Sequence, residues 1–390
     1  MFYRKEQRAI LDMLFPDTRK YHAVLESIGT FAEKEILPHA RRIDQEEIFP
    51  RENLERLRKQ GIMAFPFPEH YGGSGLPFSL YIAALEMLAK ACANTVLQVS
   101  IQGMICEGIR LFGDDRQKEK FLRDEGLVEG RSLAAFALTE PCCGSDAKAI
   151  QTKAERSGKA FLLSGNKTLI TNAAEGDYLL VFARSERGIS SFLVPRDSQG
   201  LTVMKTMPKL GFRGNSLSAI HLQDCRVSAA NLIGEEGKGL EYAKQILNVG
   251  RMTIAAIGVG IAQAAFDKSL SYSRERKAFG EQIANFELVQ EKLADMTAGI
   301  QAARLLTHYA ARMKDKGEDV ASAASQAKLF ASETALRVCD TAIQIHGGYG
   351  YTDAYDVHRH WRDARLLTLG EGTSDMLRLL IARLSVKGDT

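Results

Sequence analysis

The stretch FELVQEKLADMTAGIQAARLLTHYAARM, residues 286–313, decides the fold class of this chain. Its apolar side chains recur at intervals of three and four residues, so they line one face of an α-helix. They are Phe286, Val289, Leu293, Met296, Ile300, Ala303, Leu306, Ala310 and Met313. A long helix with one continuous apolar face is typical of a helix bundle. Two further long helices are predicted beside it, from about 239 to 274 and from about 320 to 346.

The residues before this bundle divide into a helical part and a β-rich part. Strong helix formers between breakers such as Pro66, Pro68 and the GGSG run at 72–75 predict five early helices. These predicted helices span residues 21–42, 50–60, 80–91, 94–112 and 114–123. From about 131 to 236, short apolar or alternating runs such as DYLLVFAR and SFLVP end at Gly, Pro, Asn or Asp. This pattern predicts an antiparallel sheet or barrel.

The predicted fold class is therefore α+β, with three domains in the order α, β, α. An N-terminal α-helical domain covers 1–128 and a middle antiparallel β-barrel or sheet domain covers 129–237. A C-terminal four-helix-bundle domain covers 238–390. A length of 390 residues agrees with two or three domains, each with an ample core.

Composition excludes several classes of function. The chain is 45% hydrophobic and 25% charged, as in an ordinary globular protein, and its net charge is only +3. Basic and acidic residues are interspersed, so the basic stripe of a nucleic-acid-binding protein is absent from the sequence. No uninterrupted apolar run reaches the roughly 18 residues of a membrane span. We expect no nucleic-acid and no membrane partner.

The N-terminal run MFYRKEQRAILDML lacks the apolar core of a signal peptide and contains acidic residues early. A cytoplasmic location in a bacterium is therefore expected, and a mitochondrial matrix protein whose import signal has been removed is the alternative. Six scattered cysteines agree with a reducing compartment. No two of them form a C-x-x-C motif and no histidine cluster lies beside them, so no metal site is predicted.

A second informative run is RDARLLTLGEGTSDMLR, residues 362–378, which places Glu371 between Gly370 and Gly372. Glycine has no Cβ, so backbone beside it can approach a ligand closely. A single carboxylate at such a place is a candidate general base. The alternative is an acid that helps to start the last helix, where it suits the positive end of the helix dipole.

Five motifs, together with the α, β, α order, resemble the acyl-CoA dehydrogenase family of flavoproteins from about residue 20 to about 386. The motifs are FALTEPCCGSDA (136–147), TLITNA (168–173), RERKAFGEQI (274–283), QIHGGYGYT (344–352) and LGEGTS (369–374). By contrast, GVGIAQ at 258–263 lies within a predicted helix, so we interpret it as close helix packing and not as a dinucleotide loop.

The resemblance implies non-covalent FAD as the cofactor and names its contacts. Within one subunit these would be Phe136, Leu138, Thr139, Ser145, Leu169, Thr171, Thr373 and Asp375. Leu169 stands where relatives commonly have Trp or Phe packed on the flavin. In relatives, four further positions reach the FAD of a neighbouring subunit, and here they are Arg276, Phe279, Gln344 and Gly348. The implied assembly is a homotetramer arranged as a dimer of dimers.

The resemblance also implies the reaction, α,β-dehydrogenation of an acyl-CoA thioester to the trans-2-enoyl-CoA. Glu371 would take the α-proton while a β-hydride passes to flavin N5, and electrons would then pass to an electron-transfer flavoprotein. Ser145, Asn248, Arg251 and Gly372 match positions that contact the substrate. Some relatives have their base one residue before the matching arginine, where this chain has Gly250.

Acyl chain length and branching are not determined by the sequence, nor is the choice between CoA and a carrier-protein thioester. The run ACANTVLQVSIQ at 91–102 has no charge, which disfavours glutaryl-type substrates. Two other classes of function remain as alternatives. One is a flavin monooxygenase or oxidase on the same scaffold, some of which lack the glutamate. The other is a non-catalytic CoA-binding relative or assembly factor.

Overall fold

The computed structural model describes residues 5–14 and 20–388. The parts of the predicted first and third domains at 1–4, 15–19 and 389–390 lie outside the described residues. A helical region, a β-sheet region and a second helical region follow one another along the chain. The helical regions and the central sheet of the predicted fold are confirmed.

The first region consists of helices around one very long member. Its helices are α1 (Lys5–Leu14), α2 (His22–Phe31), α3 (Ala40–Gln45), α4 (Arg51–Lys59), α5 (Phe78–Phe112) and α6 (Asp115–Gln117). The predicted helix at 21–42 is interrupted by a π-turn and by a 3-10 turn containing Pro38, which has no N–H to donate. The two predicted helices at 80–91 and 94–112 are joined in α5 through a kink at Cys92.

The middle region is an eight-stranded sheet. Its strands are β1 (Ala134–Ala137), β2 (Lys153–Ser157), β3 (Ala160–Thr171), β4 (Tyr178–Ser185), β5 (Gly188–Pro195), β6 (Leu201–Val203), β7 (Leu217–Ser228) and β8 (Leu232–Ile233). The strand order is β6-β7-β3-β2-β4-β5-β8, with β1 also paired to β4. Five of the strand pairings are antiparallel, as predicted, whereas β4 runs parallel to both β1 and β2, which the prediction did not include. Residues 138–177 supply the long crossover that parallel strands require.

The last region contains the predicted bundle. After α7 (Gly239–Glu275), a short hairpin of β9 (Lys277–Ala278) and β10 (Glu281–Gln282) leads to α8 (Glu287–Asp315) and α9 (Ala321–His346). Two shorter helices follow, α10 (Val357–Leu367) and α11 (Ser374–Lys387). A Cβ on Gly258 would lie 3.2 Å from the carbonyl oxygen of Ala331 on α9, and one on Gly260 would lie 2.4 Å from that of Glu86 on α5. The GVGIAQ run is therefore a helix-packing motif, as predicted.

The helices α5 and α7 are each long and apolar enough to cross a membrane. In each helix, 94% of the most apolar 18-residue window is buried inside the protein, as expected of a core helix. Their surroundings include a buried ion pair in which Arg304 Nη2 lies 2.8 Å from Glu86 Oε1. One continuous apolar core contains residues of all three regions, for example Leu25, Phe182 and Ile257.

Candidate active site

The loop between α10 and α11 presents Glu371. This residue has a φ of +54°, which is uncommon for a residue with a Cβ, and Gly372 follows with a φ of +97°. The N-cap of α11 is Thr373, whose Oγ1 accepts a hydrogen bond from the N–H of Met376 at 3.3 Å. The glutamate is therefore not the N-cap of α11, and Thr373 supplies that cap instead.

The carboxylate of Glu371 is held away from water. Its Oε2 is buried and has no hydrogen-bond partner among the residues that the structure describes. Burial raises the pKa of this carboxyl to about 7, against the opposing effect of the positive charges of Arg251 and Lys328. The residue as a whole is partly exposed, so it is the reactive end of the side chain that is enclosed. A carboxylate with this pKa suits proton abstraction near neutral pH.

Gly250 on α7 makes the space for this carboxylate. A Cβ at residue 250 would lie 2.7 Å from Glu371 Oε2 and 3.1 Å from the sulfur of Met104 on α5. A side chain at this position would therefore collide with the acid. The structure gives a steric reason why Gly250 and Glu371 occur together in this chain. Gly370, in contrast, has an ordinary φ and room for a Cβ, since the nearest atom is 3.8 Å away.

Two cations hold the backbone around Glu371. Arg251 donates from Nη1 to Asn248 Oδ1 at 2.7 Å, and its Nε approaches the carbonyl oxygen of Glu371 at 3.4 Å. Lys328 on α9 donates from Nζ to the carbonyl oxygen of Gly372 at 2.7 Å. Burial lowers the pKa of Lys328 to about 8. Arg251 and Asn248 were predicted from the sequence; Lys328 was missed, although it is the only charge in the run ASAASQAKLFAS at 321–332.

The sheet brings a second set of predicted residues together. The N–H of Thr168 donates to the carbonyl oxygen of Thr139 at 3.0 Å, which places the loop after β1 beside the end of β3. Leu138 is buried next to this contact, whereas Ser145 lies on an exposed part of the loop. Thr171 ends β3 opposite Leu217. The structure therefore brings Thr139 beside the start of the 168–173 motif.

The two remaining residues of this set differ from each other in exposure. Phe136 is half-buried and packs on Phe182, with ring centroids 5.0 Å apart. Leu169 is 56% exposed and has a φ of +57°. A leucine in a left-handed conformation is strained, and strained residues of this kind cluster at active sites and ligand contacts.

Unpaired polar atoms mark the end of β3. Asn172 is fully buried, yet neither its Oδ1 nor its Nδ2 has a hydrogen-bond partner within the described ranges, and the same holds for Ser216 Oγ. Buried polar groups without partners are rare and point to a ligand. Hydroxyl and amide groups of this kind fit the polar edge of a flavin, so the residues present agree with the implied FAD. Sequence reasoning missed Asn172 and Ser216 because burial depends on tertiary packing.

Asp363 connects the segment before β7 to α10, the helix that precedes the loop of Glu371. It is buried on α10, where its Oδ1 accepts from the N–H of Phe212 at 2.5 Å and its Oδ2 lies 3.4 Å from Asn94 Nδ2. Burial raises the pKa of Asp363 to about 6. Through this contact the segment before β7 is fixed against the helix that leads to Glu371.

The four residues predicted to serve a neighbouring subunit lie elsewhere on the molecule. Arg276 and Gly348 line a surface groove of about 470 Å³, with Gln344 exposed beside it on the last turn of α9. Phe279 is 98% exposed. Arg276 follows the end of α7, and about 26 residues at about 1.5 Å each separate it from Gly250, a distance of about 39 Å. The two groups of predicted residues therefore lie far apart along α7 in one chain.

Thr373 and Asp375 lie on either side of the start of α11. Thr373 is half-buried and its hydroxyl is used by the cap described above. The side chain of Asp375 is 92% exposed and lies 3.6 Å from Arg378. Any cofactor contact of Asp375 would thus be made at the surface.

Comparison with protein-family models matches all three regions. Residues 18–126 match the N-terminal domain of acyl-CoA dehydrogenases, residues 135–225 match the middle domain, and residues 237–385 match the C-terminal domain. These segments include every residue of the site described above.

Comparison with individual proteins gives the same family. The chain is 43% identical to the Bacillus subtilis protein named "Probable acyl-CoA dehydrogenase YngJ", over 96% of this chain and 100% of that protein. It is 40% identical to the mitochondrial short-chain specific acyl-CoA dehydrogenase of Homo sapiens, over 94% of this chain and 90% of that protein. The structure of butyryl-CoA dehydrogenase from Megasphaera elsdenii aligns with a TM-score of 0.90 at 35% identity, covering 98% and 99% of the two chains.

Proposed function

The chain belongs to the acyl-CoA dehydrogenase family of FAD-dependent oxidoreductases, and from this premise we propose that it desaturates short-chain acyl-CoA thioesters with Glu371 as the base. The observation on which the proposal depends is the enclosed Glu371 Oε2, which has no protein partner within the described residues. A buried acceptor of this kind is available for a proton of the substrate.

The chemistry requires removal of a weakly acidic α-proton. Glu371 takes this proton, and its raised pKa of about 7 keeps the carboxylate both ionised and basic enough near neutral pH. The backbone N–H of Glu371 donates to the thioester oxygen, where negative charge develops. When bound, FAD supplies the acceptor for the hydride that leaves the β-carbon. Arg251 and Lys328 keep the loop in place through the carbonyl oxygens of Glu371 and Gly372.

Two sets of residues in the site would hold the flavin and the acyl-CoA thioester. Thr139, Ser145, Thr171 and the unpaired Asn172 amide would hold the flavin, and Asn248 with Arg251 would contact the thioester ligand. Reduced flavin must be reoxidised, and we propose an electron-transfer flavoprotein as the acceptor. The exposed Leu169, beside the motif that would hold the flavin, leaves that edge open to such a partner.

A panel of acyl-CoA thioesters tests the proposal. Under anaerobic conditions, butyryl-CoA should abolish the visible absorbance of the oxidised flavin, and long-chain and glutaryl-CoA should act much more slowly. The uncharged 91–102 segment offers no partner for a second carboxylate. A different result would support the oxidase or monooxygenase alternative. In that case no thioester would reduce the flavin, and the enzyme would consume oxygen in the presence of another substrate.

We propose a homotetramer in which a neighbouring subunit completes each FAD site. The separation of Arg276 from Gly250 along α7 and the nearly complete exposure of Phe279 support this assembly. In it, Arg276 would pair with the cofactor's pyrophosphate.

The variant Arg276→Ala should retain less FAD than the wild type after extensive dialysis. Loss of one charge-assisted contact costs about 1.5–3 kcal/mol of binding free energy. Flavin absorbance per chain measures the occupancy, and light scattering measures the assembly, which should remain that of four 43.0 kDa chains. Arg274→Ala is the matched control, because it removes an equal charge outside the groove. Full occupancy in both variants, or a wild-type monomer with full FAD, would contradict the assembly.

The variant Lys328→Met should move the acid limb of the pH profile of flavin reduction to higher pH. Lys328 lowers the pKa of Glu371, so its removal raises that pKa and leaves less carboxylate at pH 7. A nearby opposite charge shifts a pKa by about 1–3 units, so the rate at pH 7 should fall by about fivefold or more. The rate should recover as the pH rises through the new, higher pKa of Glu371, and Lys328→Arg should restore the profile. An unchanged acid limb in Lys328→Met would limit this lysine to a structural role.

A further inference from the structure

A side-chain cluster outside the proton-abstraction site lies in the loop after β1. It consists of Glu140, Cys142 and Cys143, and one potential ligand atom from each residue lies within 4.8 Å of the others. The Sγ atoms of Cys142 and Cys143 are 3.7 Å apart, and Cys142 Sγ is 3.8 Å from Glu140 Oε2. Both thiols are free. The sequence predicted no metal site, because adjacent cysteines lack the spacing of a C-x-x-C motif. In the folded loop, the carboxylate of Glu140 lies beside the two thiols as a third potential ligand.

The backbone of this loop is fixed before any ligand arrives. Glu140 and Cys143 exchange two hydrogen bonds, from N–H to carbonyl oxygen at 3.0 Å and 3.1 Å, which close a tight turn around Pro141 and Cys142. The turn holds both thiols on one side of the glutamate. Cys143 is buried and Cys142 is exposed, so a ligand can enter from solvent on the Cys142 side.

The glutamate is also oriented by its own contacts. Its Oε1 accepts from Lys167 Nζ at 2.8 Å and from the N–H of Thr152 at 3.0 Å. Its Oε2 accepts from the N–H of Gln151 at 2.6 Å and faces Cys142. Glu140 is 4% exposed, so the carboxylate cannot turn away into water. Oε2 therefore keeps a further lone pair that can bind a cation, whereas both lone pairs of Oε1 are used.

We propose that Glu140, Cys142 and Cys143 form a binding site for a thiophilic divalent cation of the zinc and cadmium class. Two sulfurs bound tetrahedrally to zinc at about 2.3 Å are separated by about 3.8 Å, which agrees with the observed pair. A carboxylate oxygen completes three protein ligands and leaves one position for water. Cations that prefer oxygen ligands, such as Mg²⁺, are not expected to bind.

Charge balance agrees with a divalent ion. Lys167 is fully buried and neutralises Glu140, so two thiolates are left to balance the two positive charges of the cation. On binding, two S–H bonds are replaced by two metal–sulfur bonds and two protons pass to the buffer. No electrons are transferred.

The test is a titration of the FAD-loaded full-length enzyme with Cd²⁺ alone and, separately, with Zn²⁺ alone. Wild type should bind one ion per chain, show sulfur-to-cadmium charge-transfer absorption, and release about two protons per ion. Cys142→Ser and Cys143→Ser should each abolish the absorption band and the tight site. Cys142 is exposed, so its variant should fold normally, and Cys225→Ser should bind as wild type does.

Two results would overturn the proposal. One is the absence of a thiolate-to-cadmium band in the wild type. The other is binding of equal stoichiometry and affinity in wild type and in both single-site variants, which would place the ion on other side chains. The titration contains no acyl-CoA, so its outcome is independent of whether Glu371 is the base.

Discussion

The variant Glu371→Gln will reduce the rate of flavin reduction by a short-chain acyl-CoA by about 10²–10⁴-fold, the usual effect of removing a general base. Glutamine keeps the size of the side chain and the backbone of the loop, but its amide cannot accept the α-proton. Rapid mixing of enzyme and substrate without oxygen, followed through the flavin absorbance, measures this rate. FAD content and acyl-CoA binding should remain as in wild type.

Glu333→Gln is the control for this variant. Glu333 is a half-buried acid on α9 that lies 3.5 Å from Arg378 of α11, so its replacement also removes a charge close to the last helix. The control should reduce its flavin at the wild-type rate. If Glu371→Gln reduced flavin within about threefold of wild type, well below the range for base removal, then the base would be another residue.

Gly250→Ala will also slow flavin reduction, although it changes no polar group. The new Cβ would lie 2.7 Å from Glu371 Oε2 and 3.1 Å from the sulfur of Met104, so the carboxylate must move. A displacement of about 1 Å of a reacting group can cost about 10²-fold in rate. Alanine is the better helix former, so the free energy of unfolding should be nearly unchanged or higher. The measurement is the same rapid-mixing assay, with thermal unfolding recorded in parallel.

Gly299→Ala is the matched control for this change. Gly299 lies on α8, and a Cβ there would approach only side chains, the nearest being Thr334 Cγ2 at 3.1 Å. The control gains the same helix propensity, and its rate should stay near that of wild type. Equal rates in Gly250→Ala and Gly299→Ala would show that the carboxylate tolerates the added methyl group and that our steric explanation is wrong.

Several features of the fold could be predicted because they depend on local pattern. The seam at 286–313 lies in α8, Glu287–Asp315, except for Phe286, which is the N-cap of that helix. The predicted helix at 239–274 is α7, Gly239–Glu275. The pairing of β4 with β1 and β2 in parallel could not be predicted, because it depends on which strands a long crossover brings together. Likewise, the prediction of one helix over 21–42 took no account of Pro38, and only packing decides that the chain continues there through π and 3-10 turns.

The features of the candidate site also divide into those that the sequence determines and those that depend on the fold. The sequence alone determined the family resemblance, the position of Glu371 between two glycines, and the absence of a base at Gly250. These are properties of residue type and spacing. The tertiary structure decided that Oε2 is enclosed, that Gly250 must lack a Cβ, and that Lys328 holds the Gly372 carbonyl oxygen. Burial, steric exclusion and the effect of a charge that is distant in sequence arise only when α5, α7, α9 and the loop before α11 pack together.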